Sequence, residues 1–350
     1  MEKFVILKIF FLSTLSFIFA IAWTPILTHF LYKYRLGKNI RSSKLTPIFS
    51  ALHSKKAGTP TMGGVLIWLS VAVIIFLLYY LGKFFGGFWH NLNFLSRSET
   101  LLPLGALIAS AVIGLIDDLI DIWKKKGMGG GLKMRHRIFI YAAIAAIGAL
   151  WFYFKLDWTT IRVPFVGSFD IGLWYIPIFI FIIIATAFSV NEIDGLDGLA
   201  GGVLLTSFGS FGVIAFMQGK YDLAVFCGVI IGALLAFLWF NIHPARFFMG
   251  DTGAMSLGVT LGIIAMLTNS ALLLPIIGMM LVVESLSVII QLASKRFRGK
   301  KVFRSAPFHH HLEAIGWQET KIVMRFWVIS GIFSVIGLML FMIDHLQKGS

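Results

Sequence analysis

The residues of this 350-residue chain best suited to chemistry are aspartates at the ends of long apolar stretches. Asp117, Asp118 and Asp121 end one such stretch, and their spacing places Asp117 and Asp121 on the same face of a helix. Carboxylates this close repel one another unless a cation neutralises them. Because Mg²⁺ prefers oxygen ligands and often shares them with substrate phosphates, the group predicts a metal–diphosphate site. The alternative is a solvated helix end.

Asn191, Asp194 and Asp197 follow another apolar stretch at intervals of three residues. On a helix they would lie roughly along one stripe, whereas Gly195 and Gly198 would also permit a tight turn. Carboxylate and amide groups in this pattern could bind the donor edge of a nucleobase or the hydroxyls of a ribose. An ordinary Asp-Gly turn is the alternative.

Asp251 is a single carboxylate between Gly250 and Gly253, and we expect it on a small-residue turn ahead of a short helix. On such a turn it could approach a metal closely, and the helix N-terminus would favour a negatively charged substrate. The alternative role of Asp251 is to cap that helix.

Three consecutive histidines, His309, His310 and His311, follow a basic run. Consecutive residues point in different directions, so we expect one or two of the imidazoles to donate hydrogen bonds to a diphosphate rather than to share a transition metal. A purely structural trio is the alternative. Glu284 lies within an apolar stretch, where a buried acid marks either a functional site or a hydrogen-bonded structural residue.

The segment from Lys56 to Gly64 is rich in glycine and small residues and leads into another apolar stretch. Its backbone amides and Lys56 could hold phosphate, as in other glycine-rich turns. The residue order of a Walker loop is absent.

Long apolar helices must position all of these groups. Hydrophobic residues make up 58% of the chain and charged residues 13%, against roughly 25% charged in a soluble domain, and the mean hydropathy is +0.88. A spanning helix needs about 20 apolar residues, and ten stretches qualify, centred near residues 18, 73, 109, 147, 181, 208, 232, 262, 282 and 335. We predict an all-α integral membrane protein with ten transmembrane helices and a single domain over residues 1–350.

The charges between the apolar stretches predict the orientation. If the ten stretches alternate, five polar segments share one side: Lys33–Gly64, Asp117–Arg137, Asn191–Asp197, Asn241–Gly253 and Lys295–Arg325. These segments contain 22 of the 30 Lys and Arg residues, so the positive-inside rule places them in the cytoplasm and both termini outside. Basic residues that only hold this topology and attract anionic lipid headgroups are expected at Lys33, Arg35, Lys38 and Lys124–Lys126.

Six motifs occur in the order typical of one family: Lys56–Gly64, Asp117-Asp118, Asn191–Ala200, Phe237–Asn241, Phe248–Gly253 and Pro307–Glu313. Together they resemble the polyprenyl-phosphate phosphosugar transferases. The segments Pro307–Glu313 and Lys321–Trp327 are most similar to the branch that transfers phospho-N-acetylmuramoyl-pentapeptide.

The resemblance implies ten transmembrane helices in the bacterial cytoplasmic membrane, a homodimer, and a cytoplasmic cleft that holds Mg²⁺. The implied reaction moves phospho-N-acetylmuramoyl-pentapeptide from its uridine diphosphate carrier to undecaprenyl phosphate, giving lipid I and UMP, with no nucleic-acid partner. The implied catalytic residues are Asp117, Asp118, Asp251 and His309, with Asp251 as the Mg²⁺ ligand. The implied substrate-binding residues are Lys56, Thr61, Arg137, Asn191, Asp194, Asp197, Asn241, Phe248, Gln291, His310 and His311.

Some positions depart from the family pattern. Asp121 replaces a usual lysine, Glu192 lies within the asparagine motif, and Ala254 replaces a serine. A further lysine of the family aligns with Arg137, or with Lys133. Because arginine is a fixed fork rather than a point charge, Arg137 could hold the diphosphate in another geometry.

Three other functions compete with this one. A sister transferase would use UDP-N-acetylglucosamine. A membrane prenyltransferase would also use aspartate-rich motifs to bind Mg-diphosphate, but it leaves Thr59–Gly64 and Pro307–Glu313 without a role. A carrier or lipid flippase would bind its substrate at mid-membrane, whereas the charges of this chain crowd the loops.

Overall fold

The computed structural model describes residues 2–34, 36–37, 56, 58–97, 99–123, 132 and 134–349. Its helices are α1 (Glu2–Lys33), α2 (Val65–Phe85), α3 (Gly87–Leu92), α4 (Leu101–Trp123), α5 (Met134–Lys155), α6 (Tyr175–Ile193), α7 (Leu199–Met217), α8 (Tyr221–Asn241), α9 (Gly250–Leu267), α10 (Leu274–Ile277), α11 (Met279–Arg298), α12 (Phe308–Ala314) and α13 (Glu319–Gly349). An antiparallel hairpin of β1 (Thr160–Val163) and β2 (Gly167–Asp170) joins α5 to α6. The basic residues Arg35, Lys38, Lys124–Lys126 and Lys133 lie outside the described residues.

Nine of the described helices are long and apolar enough to cross a membrane. The prediction of an integral membrane protein built from helices is therefore confirmed. A helix suits this setting because it satisfies its own backbone groups where no water is present.

The ninth predicted span is broken rather than continuous, which corrects the sequence prediction at this point. The segments Ala271–Ile277 and Met279–Arg298 meet at 84° on either side of Gly278. Counting this bent pair as one span gives ten. The half after the break, α11, buries polar side chains, among them Glu284 and Gln291. Its polar face therefore points into the protein rather than into lipid.

Helix α9 is the centre of the bundle. In the most apolar stretch of α9, 94% of the residues are buried, whereas the corresponding share is 22% in α1 and 28% in α13. Small residues permit this close packing: a Cβ added at Gly258 would lie 2.8 Å from the Cα of Ala187 in α6. Membrane helices commonly approach one another through such small residues.

The β1–β2 hairpin is fastened to the last helix at one end of the bundle. Arg162 Nε donates a hydrogen bond to Asp344 Oδ2 at 2.6 Å, and the backbone N–H of Phe165 donates to Asp344 Oδ1 at 3.0 Å. The backbone N–H of Arg162 also donates to Asn269 Oδ1 at 3.0 Å, and Asn269 lies just beyond the end of α9. The hairpin, α9 and α13 are thus joined at the ends of the helices.

We expect Asp344→Ala to lower the thermal unfolding temperature of the detergent-solubilised protein. The change removes a largely buried acceptor and leaves the Arg162 guanidinium without its carboxylate, which costs about 2 kcal/mol or more. Asp344→Asn keeps one oxygen acceptor and should cost less. Equal unfolding temperatures for Asp344→Ala and the unchanged protein would contradict this role for the hairpin contact.

Candidate active site

Arg137 joins four helices at the other end of the bundle. One guanidinium nitrogen lies 2.5 Å from Asp251 Oδ2 and 2.9 Å from Asp117 Oδ2. The other donates to Asn191 Oδ1 at 3.0 Å, and Asn191 Nδ2 donates to Asp251 Oδ1 at 2.6 Å. We call these four residues the Arg137 cluster. It gathers groups from α4, α5, α6 and α9 around one fixed fork of hydrogen-bond donors.

Asp118 faces the start of α9. Its two carboxylate oxygens accept hydrogen bonds from the backbone N–H groups of Asp251 at 3.1 Å and Thr252 at 3.0 Å. A carboxylate suits this position because the first amides of a helix lack partners and carry partial positive charge. Asp118 therefore provides the capping role that the sequence offered to Asp251. The sequence also placed Asp251 ahead of a short helix, whereas it lies in the first turn of the 18-residue helix α9.

The carboxylate of Asp117 lies between a backbone amide and the Arg137 guanidinium. It is fully buried, and Oδ1 accepts a hydrogen bond from the Leu132 N–H at 2.5 Å. Oδ2 lies near Arg137 but has no aligned hydrogen-bond donor among the described residues. A buried carboxylate oxygen without an aligned donor is costly, and the Arg137 guanidinium at 2.9 Å supplies the compensating charge.

Lys56 is the centre of a second cluster. Its ammonium lies 2.6 Å from Asp197 Oδ1 and 2.5 Å from Glu319 Oε1, and 5.8 Å from the ring centroid of Phe248. His243 Nδ1 lies 3.0 Å from Asp197 Oδ2 and 3.6 Å from Glu319 Oε2. We call Lys56, Asp197, Glu319 and His243 the Lys56 cluster. The sequence analysis gave no role to Glu319 or His243, because only the fold brings them to Lys56.

Of the two arrangements that the sequence allowed for Asn191, Asp194 and Asp197, the structure has the turn, and the helical stripe is wrong. Helix α6 ends at Ile193, and the chain turns through two Asp-Gly steps with a positive φ of 79° at Gly198. Asn191 therefore belongs to the Arg137 cluster and Asp197 to the Lys56 cluster, with Asp194 half-buried on the turn between them.

Two amides of the glycine-rich loop are already hydrogen-bonded within the protein and are not free for a phosphate. The N–H groups of Gly63 and Gly64 donate to the carbonyls of Phe248 and Met249 at 2.7 and 2.8 Å. Thr61 is buried beside Gly250, where an added Cβ would lie 2.7 Å from the Thr61 hydroxyl oxygen. The loop thus fixes the start of α9, and the expectation of phosphate-binding amides is corrected at these two positions.

The side-chain amides of Asn241 and Gln291, both predicted to bind substrate, form hydrogen bonds with backbone groups of the protein. Asn241 accepts from the Gly198 N–H at 2.9 Å and donates to the Phe247 carbonyl at 2.8 Å. Gln291 Nε2 donates to the Phe303 carbonyl at 2.9 Å, and its Oε1 accepts from the same residue's N–H at 3.0 Å. Asn241 therefore ties the turn at Gly198 to Phe247, and Gln291 holds the loop that follows α11.

The three histidines contact three different partners, as their consecutive positions predicted. His309 is fully buried, and its Nδ1 lies 3.0 Å from Glu284 Oε2. His310 Nδ1 lies 2.7 Å from Glu313 Oε2. His311 accepts a backbone N–H from the preceding loop at 3.2 Å. The catalytic and substrate-binding roles of all these residues stay predictions.

Two groups of side chains have donor atoms suited to a metal. Asp197, His243 and Glu319 bring ligand atoms within 4.8 Å of one another, the one such group among the described residues, but the Lys56 ammonium already lies against both carboxylates. Asp117 and Asp251 offer only oxygens, and Mg²⁺ commonly takes one or two carboxylates together with substrate phosphates. Arg137 likewise lies against Asp117 and Asp251, so it is their all-oxygen ligand set that suits these two carboxylates to Mg²⁺.

The chain matches two models of known protein families. Residues 100–269, which carry the Arg137 cluster, match glycosyl transferase family 4, and residues 56–67 match signature 1 of the phospho-N-acetylmuramoyl-pentapeptide-transferases. The fold and these matched segments define a membrane-embedded glycosyl transferase.

The relatives narrow that class. The chain is 39% identical to a phospho-N-acetylmuramoyl-pentapeptide-transferase of Chloroflexus aggregans, over 90% of this chain and 84% of the relative. It is 37% identical to that of Anoxybacillus flavithermus, over 94% and 97%, and 39% identical to that of Geobacillus thermodenitrificans, over 92% and 94%. The chain belongs to the phospho-N-acetylmuramoyl-pentapeptide-transferase family, and the family resemblance is confirmed.

We expect Asp118→Ala to destabilise the start of α9. The amides of Asp251 and Thr252 would lose their acceptor, at a cost of about 1–3 kcal/mol, seen as a lower thermal unfolding temperature. Asp118→Asn retains an oxygen acceptor, so its unfolding temperature should lie between those of Asp118→Ala and the unchanged protein. A stability of Asp118→Ala equal to that of the unchanged protein would rule out the capping role.

Proposed function

We propose that this protein transfers phospho-N-acetylmuramoyl-pentapeptide from its UDP carrier to undecaprenyl phosphate and so produces lipid I and UMP for peptidoglycan synthesis. The observation that carries the proposal is the Arg137 cluster, which places a guanidinium and two carboxylates at converging helix ends. Relatives that bear the transferase name align over at least nine-tenths of the chain, which favours this donor over UDP-N-acetylglucosamine.

The two clusters suit two parts of the donor. Lys56, Asp197 and the Phe248 ring supply charge, hydrogen bonds and an aromatic face, which suit the uridine. The Arg137 guanidinium suits the diphosphate because its planar donors match phosphate oxygens. The turn around Asp194 connects the clusters, so one donor molecule could span both.

The carboxylates of Asp251 and Asp117 would hold Mg²⁺ beside Arg137. When bound, the ion would supply a Lewis acid that offsets the negative charge of the diphosphate. Arg137 would stabilise charge on the same phosphates and keep the two carboxylates in place. Mg²⁺ prefers oxygen ligands such as these carboxylates, which supports the proposal that the enzyme depends on magnesium.

The acceptor needs little help from a base. A phosphate monoester has a second pKa of about 6, so at cytoplasmic pH much of it is a dianion. Between the two candidate aspartates, Asp118 is engaged by the amides of α9, whereas Oδ2 of Asp117 has no aligned hydrogen-bond donor among the described residues. We therefore assign the positioning of the lipid phosphate to Asp117 together with Arg137, whose positive charge offsets the repulsion between the two anions. A covalent aspartyl-phosphate path is the alternative, and sugar-phosphate trapped on the protein without acceptor would support it.

We also propose that the clusters face the cytoplasm of a bacterial cell, with both termini outside and the protein as a homodimer. The excess of Lys and Arg on the polar segments supports the orientation. The weakly buried outer helices α1 and α13 leave apolar surface for a second copy.

The proposed reaction predicts UMP release by the purified protein. With Mg²⁺, undecaprenyl phosphate and UDP-N-acetylmuramoyl-pentapeptide, we expect turnover that chelation and Asp251→Ala both abolish. Turnover only with UDP-N-acetylglucosamine would move the protein to a sister branch. Release of inorganic diphosphate would indicate a prenyltransferase, and transport without turnover a carrier.

Arg137→Lys should lower kcat/KM for UMP release by about tenfold or more, because lysine keeps the charge but loses the fork that contacts Asp251, Asp117 and Asn191. The matched control is Arg135→Lys, since Arg135 is exposed near the start of the same helix. An Arg137→Lys protein as active as this control would remove Arg137 from the site.

A further inference from the structure

Glu284 is a fully buried acid whose carboxylate points at one residue. Its two oxygens lie 3.2 and 3.4 Å from the backbone nitrogen of His309, and Oε2 lies 3.0 Å from the ring nitrogen Nδ1. Burial of a carboxylate is costly unless hydrogen bonds compensate for the lost water. Both the main chain and the ring of His309 supply that compensation, so α11 holds the ring of α12 in one orientation.

The contact with Glu284 uses Nδ1 of His309, so the role of the other ring nitrogen, Nε2, has still to be explained. A carboxylate at Nδ1 keeps a proton there, and Nε2 is buried without a hydrogen-bond partner among the described residues. Buried polar atoms without partners are rare in native proteins and call for an explanation. A ligand atom that pairs with Nε2 would provide one.

Nε2 points at the turn between the two clusters. A Cβ added at Gly195 would lie 2.1 Å from this nitrogen, so the ring occupies the space that a side chain would need. Asn191 of the Arg137 cluster and Asp197 of the Lys56 cluster flank the turn. The nitrogen therefore lies where the diphosphate and uridine sides of the donor would meet.

We propose that Glu284 is the positioning residue of His309: it fixes the imidazole so that the protonated Nε2 donates a hydrogen bond to the diphosphate of the donor. This inference deepens the proposed function and rests on it. No proton is transferred, because the N–H only stabilises negative charge on a phosphate oxygen.

The charges around the ring favour the protonated form. Burial opposes protonation of His309, but the carboxylates of Glu284, Glu313 and Glu192 outweigh it and raise the pKa of the imidazole above its usual value. These groups come from α11, α12 and α6, and the ring of His310 lies 4.1 Å away, centroid to centroid. The imidazolium exists below the raised pKa and loses its Nε2 proton as the pH rises through it, so activity should fall on the alkaline side.

The first test is the pH profile of Glu284→Gln in the UMP-release assay. Glutamine keeps an acceptor for Nδ1 but removes the charge, so we expect a lower kcat with little change in the donor KM. The alkaline loss of kcat should move to lower pH by about one unit. In a His309→Gln background the same change should cost nothing further. A profile superimposable on that of the unchanged protein, or fully additive losses, would overturn the proposal.

The matched control is Glu99→Gln. Glu99 also accepts a backbone hydrogen bond, from the Leu223 N–H at 3.1 Å, and it lies just before α4, away from Asp117 at the other end of that helix. Its profile should not move. If Glu284→Gln does not fold, Glu284→Asp keeps the charge on a shorter side chain and should retain the alkaline limb while lowering kcat.

A second measurement does not depend on activity. In protein labelled with ¹⁵N-histidine, the ring signals absent from His309→Gln belong to His309. They should report an imidazolium that deprotonates at lower pH in Glu284→Gln, and an unchanged titration would contradict the positioning role. An unchanged protein that releases no UMP at any pH would refute the proposed function instead, while these signals would still decide the role of Glu284.

Discussion

A buried arginine among carboxylates is the interaction on which the rest of the site depends. Arg137 contacts Asp117, Asp251 and Asn191, which come from three other helices. Desolvating such charges is expensive, and only close pairing with further hydrogen bonds repays it. The convergence of α4, α5, α6 and α9 therefore stabilises the charges, and the charges in turn specify how these helices meet.

Close approach of the helices makes that convergence possible. A Cβ at Gly114 would lie 2.4 Å from the backbone oxygen of Asp251, so α4 reaches the start of α9 only because no side chain intervenes. The same approach brings the carboxylate of Asp118 to the first amides of α9. One carboxylate of the adjacent pair thus serves the fold, and its neighbour Asp117 remains beside Arg137.

Local spacing in the sequence predicted the helix ends but not the contacts between them. It located Asp117 at the polar end of an apolar stretch and Asp251 and His309 in the polar segments between stretches, since hydrophobic length and helical period are local properties. It could not show that Asn191 and Asp197 belong to different clusters. The Asp-Gly steps allow both a helix and a turn, and only tertiary contacts select between the two. Glu319 escaped notice for a similar reason: its partner Lys56 lies 263 residues earlier. The break at Gly278 was hidden within a continuous apolar run.

Helix α13 is held at both ends, and this has a consequence for the surrounding lipid. Glu319 at its start contacts Lys56, and Asp344 near its end contacts Arg162; a straight helix places these residues about 38 Å apart. Membrane helices usually adjust to a thinner bilayer by tilting. In α13 a tilt of about 4° would move one end by about 2.6 Å, enough to break its contacts. A mismatch between the length of α13 and the thickness of the bilayer would therefore strain either the Glu319–Lys56 contact or the Asp344–Arg162 contact. The thickness of the bilayer would in this way change the geometry of the Lys56 cluster.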